Sequence, residues 1–131
     1  MPASALDYRS VGVPAAILFD TPSKAGKKLF LIRAQTPVEV LVRLDGWIKV
    51  RDAEGALAWI EARNLAEQRM LQVTAASAEV REAPNASANV LLSLAKGVVV
   101  EYLEAGEPGW VKVRHRDGVT GFIRNTQVWG L

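Results

Sequence analysis

The sequence contains no cysteine and a single histidine, His115, and both absences exclude classes of protein. Without cysteine there is no disulfide, no thiolate nucleophile and no zinc site with a cysteine ligand. The lone histidine has no serine, aspartate or second histidine at a recognisable catalytic spacing, so nucleophilic catalysis has no support. We therefore expect a protein that is not an enzyme and that needs no cofactor.

Excess charge and long apolar runs are also lacking. Sixteen basic and fourteen acidic residues give a formal net charge of +2, which favours no nucleic-acid partner because such proteins concentrate basic residues on one face. The most apolar stretch, residues 90–103, is interrupted by Ser93, Lys96, Gly97 and Glu101. We therefore expect no integral membrane segment.

The strongest feature that is present is an internal repeat. The segment Gly46–Arg51 reads Gly-Trp-Ile-Lys-Val-Arg and recurs as Gly-Trp-Val-Lys-Val-Arg at Gly109–Arg114, 63 residues later. Further upstream, residues 37–40 align with residues 97–100 at an offset of 60. The repeat predicts two domains, residues 1–68 and 69–131, joined by residues 66–69. A linker this short, without glycine or proline, predicts that the two domains pack together.

Each copy has the pattern of a small all-β domain. Residues 38–42 and 98–103 are rich in β-branched side chains, and residues 47–51 alternate between apolar and other side chains as a half-buried strand does. Asp117-Gly118 predicts a tight hairpin, with a longer version of the same connection at residues 52–55. Short helical turns are predicted at residues 63–65 and 126–128, each leading into a final strand.

Four segments of the second copy carry a resemblance to a known family. Residues 80–84, 90–97, 109–113 and 118–123 resemble, in this order, the opening strand, the middle, the central strand and the closing hairpin of a bacterial SH3 domain. The first copy departs from this pattern where Thr36-Pro37 replaces Lys-Gly and where Ala58 replaces glycine. The resemblance implies two tandem SH3-like small β-barrels.

Paired aromatic residues are the candidate binding residues of each copy. Trp47 and Trp59 are predicted to lie on the strand face opposite Ile48 and Ile60, and the arrangement is repeated in the second copy. Basic residues share this face and would suit carboxylates. The candidate ligand-binding residues are Trp47, Lys49, Trp59, Trp110, Lys112, Arg114 and Phe122, with Arg51 beside them. Two interpretations stay open: an exposed platform for a ligand, or scaffold buried under loops or between the two barrels.

Two loops bear on this choice. Residues 104–108 form the longer loop of the second copy and are expected to wall one side of its platform, which favours the second copy as the site. Lys24, Lys27 and Lys28 surround Gly26 and are predicted to form a solvated loop.

The resemblance also implies a class of function. Bacterial SH3 domains often accompany cell-wall hydrolases, and this chain would then be a non-enzymatic binding module that recognises peptidoglycan stem peptides through its aromatic face. The alternative is a periplasmic protein–protein adaptor with no cell-wall ligand. We expect a monomer without metal or other cofactor. Ala3-Ser4-Ala5 reads as a signal-peptidase site, so we expect export to the periplasm with the signal peptide absent from this chain.

Overall fold

The computed structural model describes residues 6–131, so the Ala3-Ser4-Ala5 pattern lies outside the described residues. The chain divides into two compact units, the first ending at Arg69 and the second covering Met70–Leu131. In the described part of the chain the helices are two 3-10 turns of three residues, and no helix has the length or the apolar character needed to cross a bilayer.

The first unit is a seven-stranded antiparallel sheet. Its strands are β1 (Tyr8–Val11), β2 (Ala15–Phe19), β3 (Lys28–Arg33), β4 (Pro37–Leu44), β5 (Trp47–Arg51), β6 (Leu57–Glu61) and β7 (Leu65–Ala66). The 3-10 turn Ala62–Asn64 precedes β7, as predicted. The strand order in the sheet is β3-β2-β6-β5-β4-β1-β7.

The second unit repeats this architecture strand for strand. Its strands are β8 (Met70–Val73), β9 (Ser77–Arg81), β10 (Val90–Ala95), β11 (Val99–Ala105), β12 (Trp110–Arg114), β13 (Thr120–Arg124) and β14 (Val128–Trp129). Their order, β10-β9-β13-β12-β11-β8-β14, is the order of the first unit. The predicted all-β class and the SH3-like fold are confirmed.

Three details of the prediction are corrected. The sheets are not closed into barrels, since β3 and β7, or β10 and β14, end each ladder. The two hairpins have equal loops of five residues, because β5 ends at Arg51 with β6 beginning at Leu57, and β12 ends at Arg114 with β13 beginning at Thr120. The loop placed at residues 104–108 is shorter, because strand β11 extends to Ala105.

Strand pairing gives a simpler alignment of the two copies than the sequence comparison did. Glu39 lies opposite Arg51 in the first unit, and Glu101 lies opposite Arg114 in the second. The offset is therefore 62 before the turn that precedes the central strand and 63 after it, and the offset of 60 for residues 37–40 is wrong. One inserted residue in the turn that ends at Gly109 accounts for the whole difference.

The same register changes which residue of the first copy replaces the glycine of the family pattern. Gln35 has φ of 66° and occupies the left-handed position that Gly97, with φ of 93°, occupies in the second unit. Gln35, rather than Pro37, is therefore the residue that stands in place of glycine. A side chain in this backbone region is sterically unfavourable.

Each unit has a core formed by the inward-facing side of its sheet. Val50 and Val113 are 1% and 0% exposed, so they are equivalent core positions at the centres of the two sheets. Around Val50 the core contains Val11, Ala16, Leu18, Ile32, Val38, Ile48, Ala58 and Ile60, and the second unit has a corresponding set. Because side chains alternate along each strand, the same residues fix which side chains face outward.

One core position differs between the copies in a way that constrains the backbone. Ala58 is buried in the first unit, and Gly121 occupies its place in the second. A Cβ added at Gly121 would lie 2.5 Å from the carbonyl oxygen of Arg81 and 2.7 Å from Cγ1 of Val80. The two sheets therefore approach their neighbouring strand differently at this point, and only the first has room for a methyl group.

A cross-strand ion pair is repeated beside each core. Arg51 Nη1 lies 3.2 Å from Glu39 Oε1, and Arg114 Nη2 lies 2.8 Å from Glu101 Oε1.

In the first unit, burial and then the nearby Glu39 carboxylate raise the pKa of Tyr8 above its ordinary value. The phenol of Tyr8 is therefore neutral in the folded unit at neutral pH.

Most of the predicted linker belongs to the first unit. Ala66 lies in β7, where it pairs with Ser10 of β1. The buried Ser10 hydroxyl donates a 2.8 Å hydrogen bond to the carbonyl oxygen of Gln68. Strand β8 then begins at Met70, immediately after the first unit ends.

Truncating either central valine should destabilise its unit. Val50→Ala and Val113→Ala each leave a cavity at a fully buried site, so each should lower the free energy of unfolding by about 1–3 kcal/mol. Denaturant titration of the full chain measures this, with the exposed Val42→Ala as control. Unchanged midpoints for both core variants would contradict the assigned strand register.

Candidate functional site

The outward side of the central hairpin in the first unit brings together three of the predicted site residues. Lys49 lies directly opposite Trp59, and Trp47 lies opposite Glu61 on the neighbouring strand. The three side chains share one face, because Ile48, Val50, Ala58 and Ile60 occupy the buried face between them. Trp47, Lys49 and Trp59 are all half-buried, so the tryptophans are neither fully exposed nor fully covered.

A third aromatic residue, which the sequence did not indicate, completes this cluster. Phe19 of β2 pairs with Trp59 across the sheet, and its ring lies edge-on to Trp47 with centroids 5.5 Å apart and an interplanar angle of 85°. This is a favourable geometry for aromatic pairs. Phe19 is 4% exposed although it lies outside the main core of the unit. It therefore packs against Trp47 and lies next to Trp59 in the sheet.

Aliphatic side chains extend the aromatic cluster along the same face. Val42 lies opposite Lys49, Leu44 lies opposite Trp47, and Leu57 lies opposite Arg51. All three are exposed, at 42%, 51% and 47%. We define the apolar face of the first unit as Ile17, Phe19, Val42, Leu44, Trp47, Leu57 and Trp59.

Lys49 is the unpaired charge within the apolar face. It is half-buried between its cross-strand neighbours Val42 and Trp59, and within residues 6–131 no carboxylate forms an ion pair with it. The neighbouring cation Arg51 is already paired with Glu39. A half-buried ammonium group among apolar side chains gains most from a carboxylate supplied from outside.

The same positions in the second unit are predominantly polar. Strand register matches Ile17, Phe19, Val42, Leu44 and Leu57 with Glu79, Arg81, Glu104, Gly106 and Thr120. Lys112 faces both Phe122 and Glu104, and Arg114 is paired with Glu101. The predicted site residues of the second copy therefore share a face, but this face is charged rather than apolar.

Trp110 of the second unit is more deeply buried than the tryptophans of the first unit. Trp110 is 8% exposed, and the guanidinium carbon of Arg124 lies 4.5 Å from its ring centroid. Gly106 lies against Phe122, since a Cβ at Gly106 would be 3.3 Å from Cδ1 of that ring. Gly106, in the loop that was expected to wall the platform, therefore lies beside Phe122, which is half-buried like Trp59.

The groups with possible catalytic chemistry are dispersed. His115 lies in the hairpin loop of the second unit, where its Nδ1 is 3.3 Å from an Asp117 carboxylate oxygen. Among the residues that the structure describes, no cluster of three or more histidine, aspartate or glutamate side chains has the geometry to hold a metal ion. The apolar face of the first unit is thus the candidate site.

Comparison with known proteins gives the family. The model of the bacterial SH3 domain matches residues 12–67 and, independently, residues 74–130. The chain therefore belongs to the bacterial SH3 domain family and contains two tandem copies of the domain. Members of this family are generally non-catalytic binding modules.

Several solved structures are similar over most of this chain. NlpC2 from Trichomonas vaginalis matches with a TM-score of 0.44 and 16% identity over 95% of this chain and 48% of that chain. NlpC1 from the same organism gives 0.43 and 15% over 98% and 47%, and an NlpC/P60 family protein from Bacillus cereus ATCC 10987 gives 0.43 and 14% over 93% and 55%. The chain spans about half the length of these structures. No curated protein matches the sequence.

Removing the arginine that covers Trp110 should weaken the second unit. Arg124→Ala removes a cation–π contact on a buried ring, so the free energy of unfolding should fall by about 0.5–1 kcal/mol. Arg116→Ala is the matched control, because Arg116 is exposed in the hairpin loop. Thermal unfolding compares them, and equal melting temperatures would show that Arg124 does not stabilise Trp110.

Proposed function

We propose that this protein is a non-enzymatic binding module of the cell envelope, acting as a monomer in the periplasm, whose apolar face holds peptidoglycan stem peptides or related peptides. The observation that carries the proposal is Lys49, a half-buried cation without a carboxylate partner in the described chain, set between Val42 and Trp59. Membership of a family of binding modules that often accompany cell-wall hydrolases supports the same class of ligand.

The proposed mechanism divides the ligand between two kinds of contact. Trp47 and Trp59 present flat surfaces for a ligand, and the edge-on contact with Phe19 restricts the ring of Trp47 and so lowers the entropic cost of binding there. Exposed Val42 and Leu44 extend this surface for the apolar parts of a peptide. Lys49 pairs with a ligand carboxylate, of which stem peptides carry several. Aromatic contacts give affinity and the ammonium group selects the end or side of the peptide that carries the charge.

The first unit, rather than the second, is the proposed site. In the second unit the ring of Trp110 is buried beside Arg124, Gly106 lies next to Phe122, and Lys112 faces Glu104. A ligand carboxylate there would meet a nearby like charge. This assignment reverses the expectation drawn from loop length in the sequence.

Breadth of the apolar face supports a second candidate, a periplasmic adaptor that binds another envelope protein. Leu57 and Val42 lie on opposite sides of the β5 strand and both are exposed. Extended apolar surface of this kind marks protein partners as well as small ligands. Cosedimentation with purified sacculi separates the two, since an adaptor without a cell-wall ligand stays in the supernatant.

Truncation of one tryptophan should remove most of the affinity for a muropeptide. Trp59→Ala is expected to cost about 2 kcal/mol, or about thirtyfold in Kd, because aromatic residues dominate such surfaces. Phe122→Ala, at the matching position of the second unit, should leave Kd unchanged. An NMR titration with purified muropeptides measures both, and circular dichroism confirms that each variant is folded. Equal losses in the two variants, or none in Trp59→Ala, would contradict the assignment to the first unit.

Replacing Lys49 should act through the charge of the ligand. Lys49→Met preserves the length of the side chain and should weaken binding of a free muropeptide by about two- to fivefold, as expected for a partly exposed ion pair. The same peptide with its carboxyl groups amidated should bind Lys49→Met and the parent protein equally. Lys112→Met provides the control in the second unit. A Lys49→Met effect that persists with the amidated peptide would show that the ammonium group does not bind the carboxylate.

A further inference from the structure

Strand β3 is an open edge of the first unit, on a different part of the sheet from the central hairpin. It pairs with β2 on one side and is the terminal strand of the sheet order. Across residues 28–32 in the described chain, the backbone forms no other hydrogen bond beyond its ladder with β2. Such an edge presents a row of unpaired backbone N–H and C=O groups, which is a template for another strand.

Exposed apolar side chains lie on both sides of this edge. Phe30 is paired with Leu18 on the inward side of the sheet and is 47% exposed, whereas Leu31 is paired with Ile17 on the outward side and is 69% exposed. Natural edges are usually protected by charges in the middle of the strand. Here the middle is apolar on both faces, so an added strand would find side-chain contacts above and below the backbone.

Positive charge is confined to the two ends of the strand. Lys28 begins β3 and Arg33 ends it, and neither has an ion-pair partner among the residues that the structure describes. Lys28 was predicted to lie in a solvated loop and instead begins a strand. The edge is therefore an apolar segment between two available cations.

The second unit provides a natural comparison for this edge. Strand β10 has the same register and the same bulge as β3, with Leu91 at the bulge in place of Leu29. Val90, Ser93 and Ala95 occupy the places of Lys28, Leu31 and Arg33. Leu31 and the two end cations, Lys28 and Arg33, are thus specific to the first unit and are not required by the fold.

Charge identifies the kind of strand that fits. A second copy of this protein would place Lys28 and Arg33 against the same basic residues, and like charges directly opposite each other destabilise a strand pair. A segment with a carboxylate near each end would instead form two ion pairs. We propose that β3 accepts an extended segment of a partner protein as an added antiparallel strand, with apolar residues in the middle of the segment and an acidic residue near each end.

This interaction would use the backbone of the β3 edge rather than the aromatic rings, and the two surfaces adjoin where Leu31 pairs with Ile17 of the apolar face. Backbone hydrogen bonds along β3 supply affinity, Phe30 and Leu31 contact alternate side chains of the segment, and the end charges set its alignment. The protein would then hold a cell-wall peptide on one surface and a protein segment on another. The two surfaces can be tested separately because they have different anchoring residues.

A fluorescein-labelled, end-blocked peptide of sequence Glu-Val-Tyr-Val-Thr-Glu is the probe. Fluorescence anisotropy with the full chain should show saturable binding that weakens with added salt, and the peptide with lysine at both ends should bind at least about tenfold more weakly. Hydrogen exchange should slow at backbone amides within residues 28–33 when the acidic peptide is bound. Equal binding of the two peptides, or unchanged exchange on β3, would overturn the proposal.

Reciprocal exchange of residues between the two edges gives matched variants. The triple variant K28V/L31S/R33A carries the residues of β10 and should bind the acidic peptide at least about tenfold more weakly. The variant V90K/S93L/A95R carries those of β3 on the second unit and should gain a second binding site of similar affinity. Trp59→Ala should leave binding of this probe unchanged. Undiminished binding by the triple variant together with no second site in the reciprocal variant would overturn the assignment to β3.

Discussion

Alternation of side chains along the central strand is the constraint on which both units depend. Val50 and Val113 must be buried for a domain of this size to have a core, and their neighbours in the chain must then face outward. The same period of two that buries the valines sets Trp47 and Lys49, or Trp110 and Lys112, on the outer surface. The core and the candidate site are therefore two consequences of one strand register.

Duplication of this register leaves the outer face free to change. The cores of the two units match position by position, and the Glu39–Arg51 ion pair is retained as Glu101–Arg114. Three outward-facing apolar residues of the first unit, Ile17, Phe19 and Val42, are replaced by Glu79, Arg81 and Glu104 in the second. The first unit thus has an apolar outer face, and the second repeats its scaffold with charged residues at matching positions.

Much of the fold follows from sequence patterns that depend on near neighbours. The repeat, the alternating central strand and the short helical turns before the last strands are all visible in the chain itself. Strands β1 and β8 were not predicted from the sequence because they are short. In addition, β1 buries Ser10, whose hydroxyl donates a hydrogen bond to a carbonyl oxygen 58 residues away. A buried serine gives no apolar signal, so its place in the core depends on a partner that the local sequence does not identify.

The site was only partly predictable for a related reason. Phe19 follows Ile17 and Leu18 in a continuous apolar run, and such a run does not show which residues face outward. The offset of 60 assigned to residues 37–40, if continued along the strand, would match Val42 with Tyr102, whereas strand pairing matches it with Glu104. The wrong offset therefore concealed that Val42 is replaced by Glu104, and so concealed the difference between the outer faces of the two units.

The difference between Ala58 and Gly121 has a consequence for how a duplicated chain folds. Adjacent domains with nearly the same fold can exchange equivalent strands and become trapped in misfolded states. If β6 took the place of β13, the Ala58 methyl group would lie where a Cβ meets the Arg81 carbonyl at 2.5 Å. The second unit therefore disfavours the closing strand of the first by steric exclusion, whereas β13 in the first unit would meet no clash and would only lack a buried methyl group.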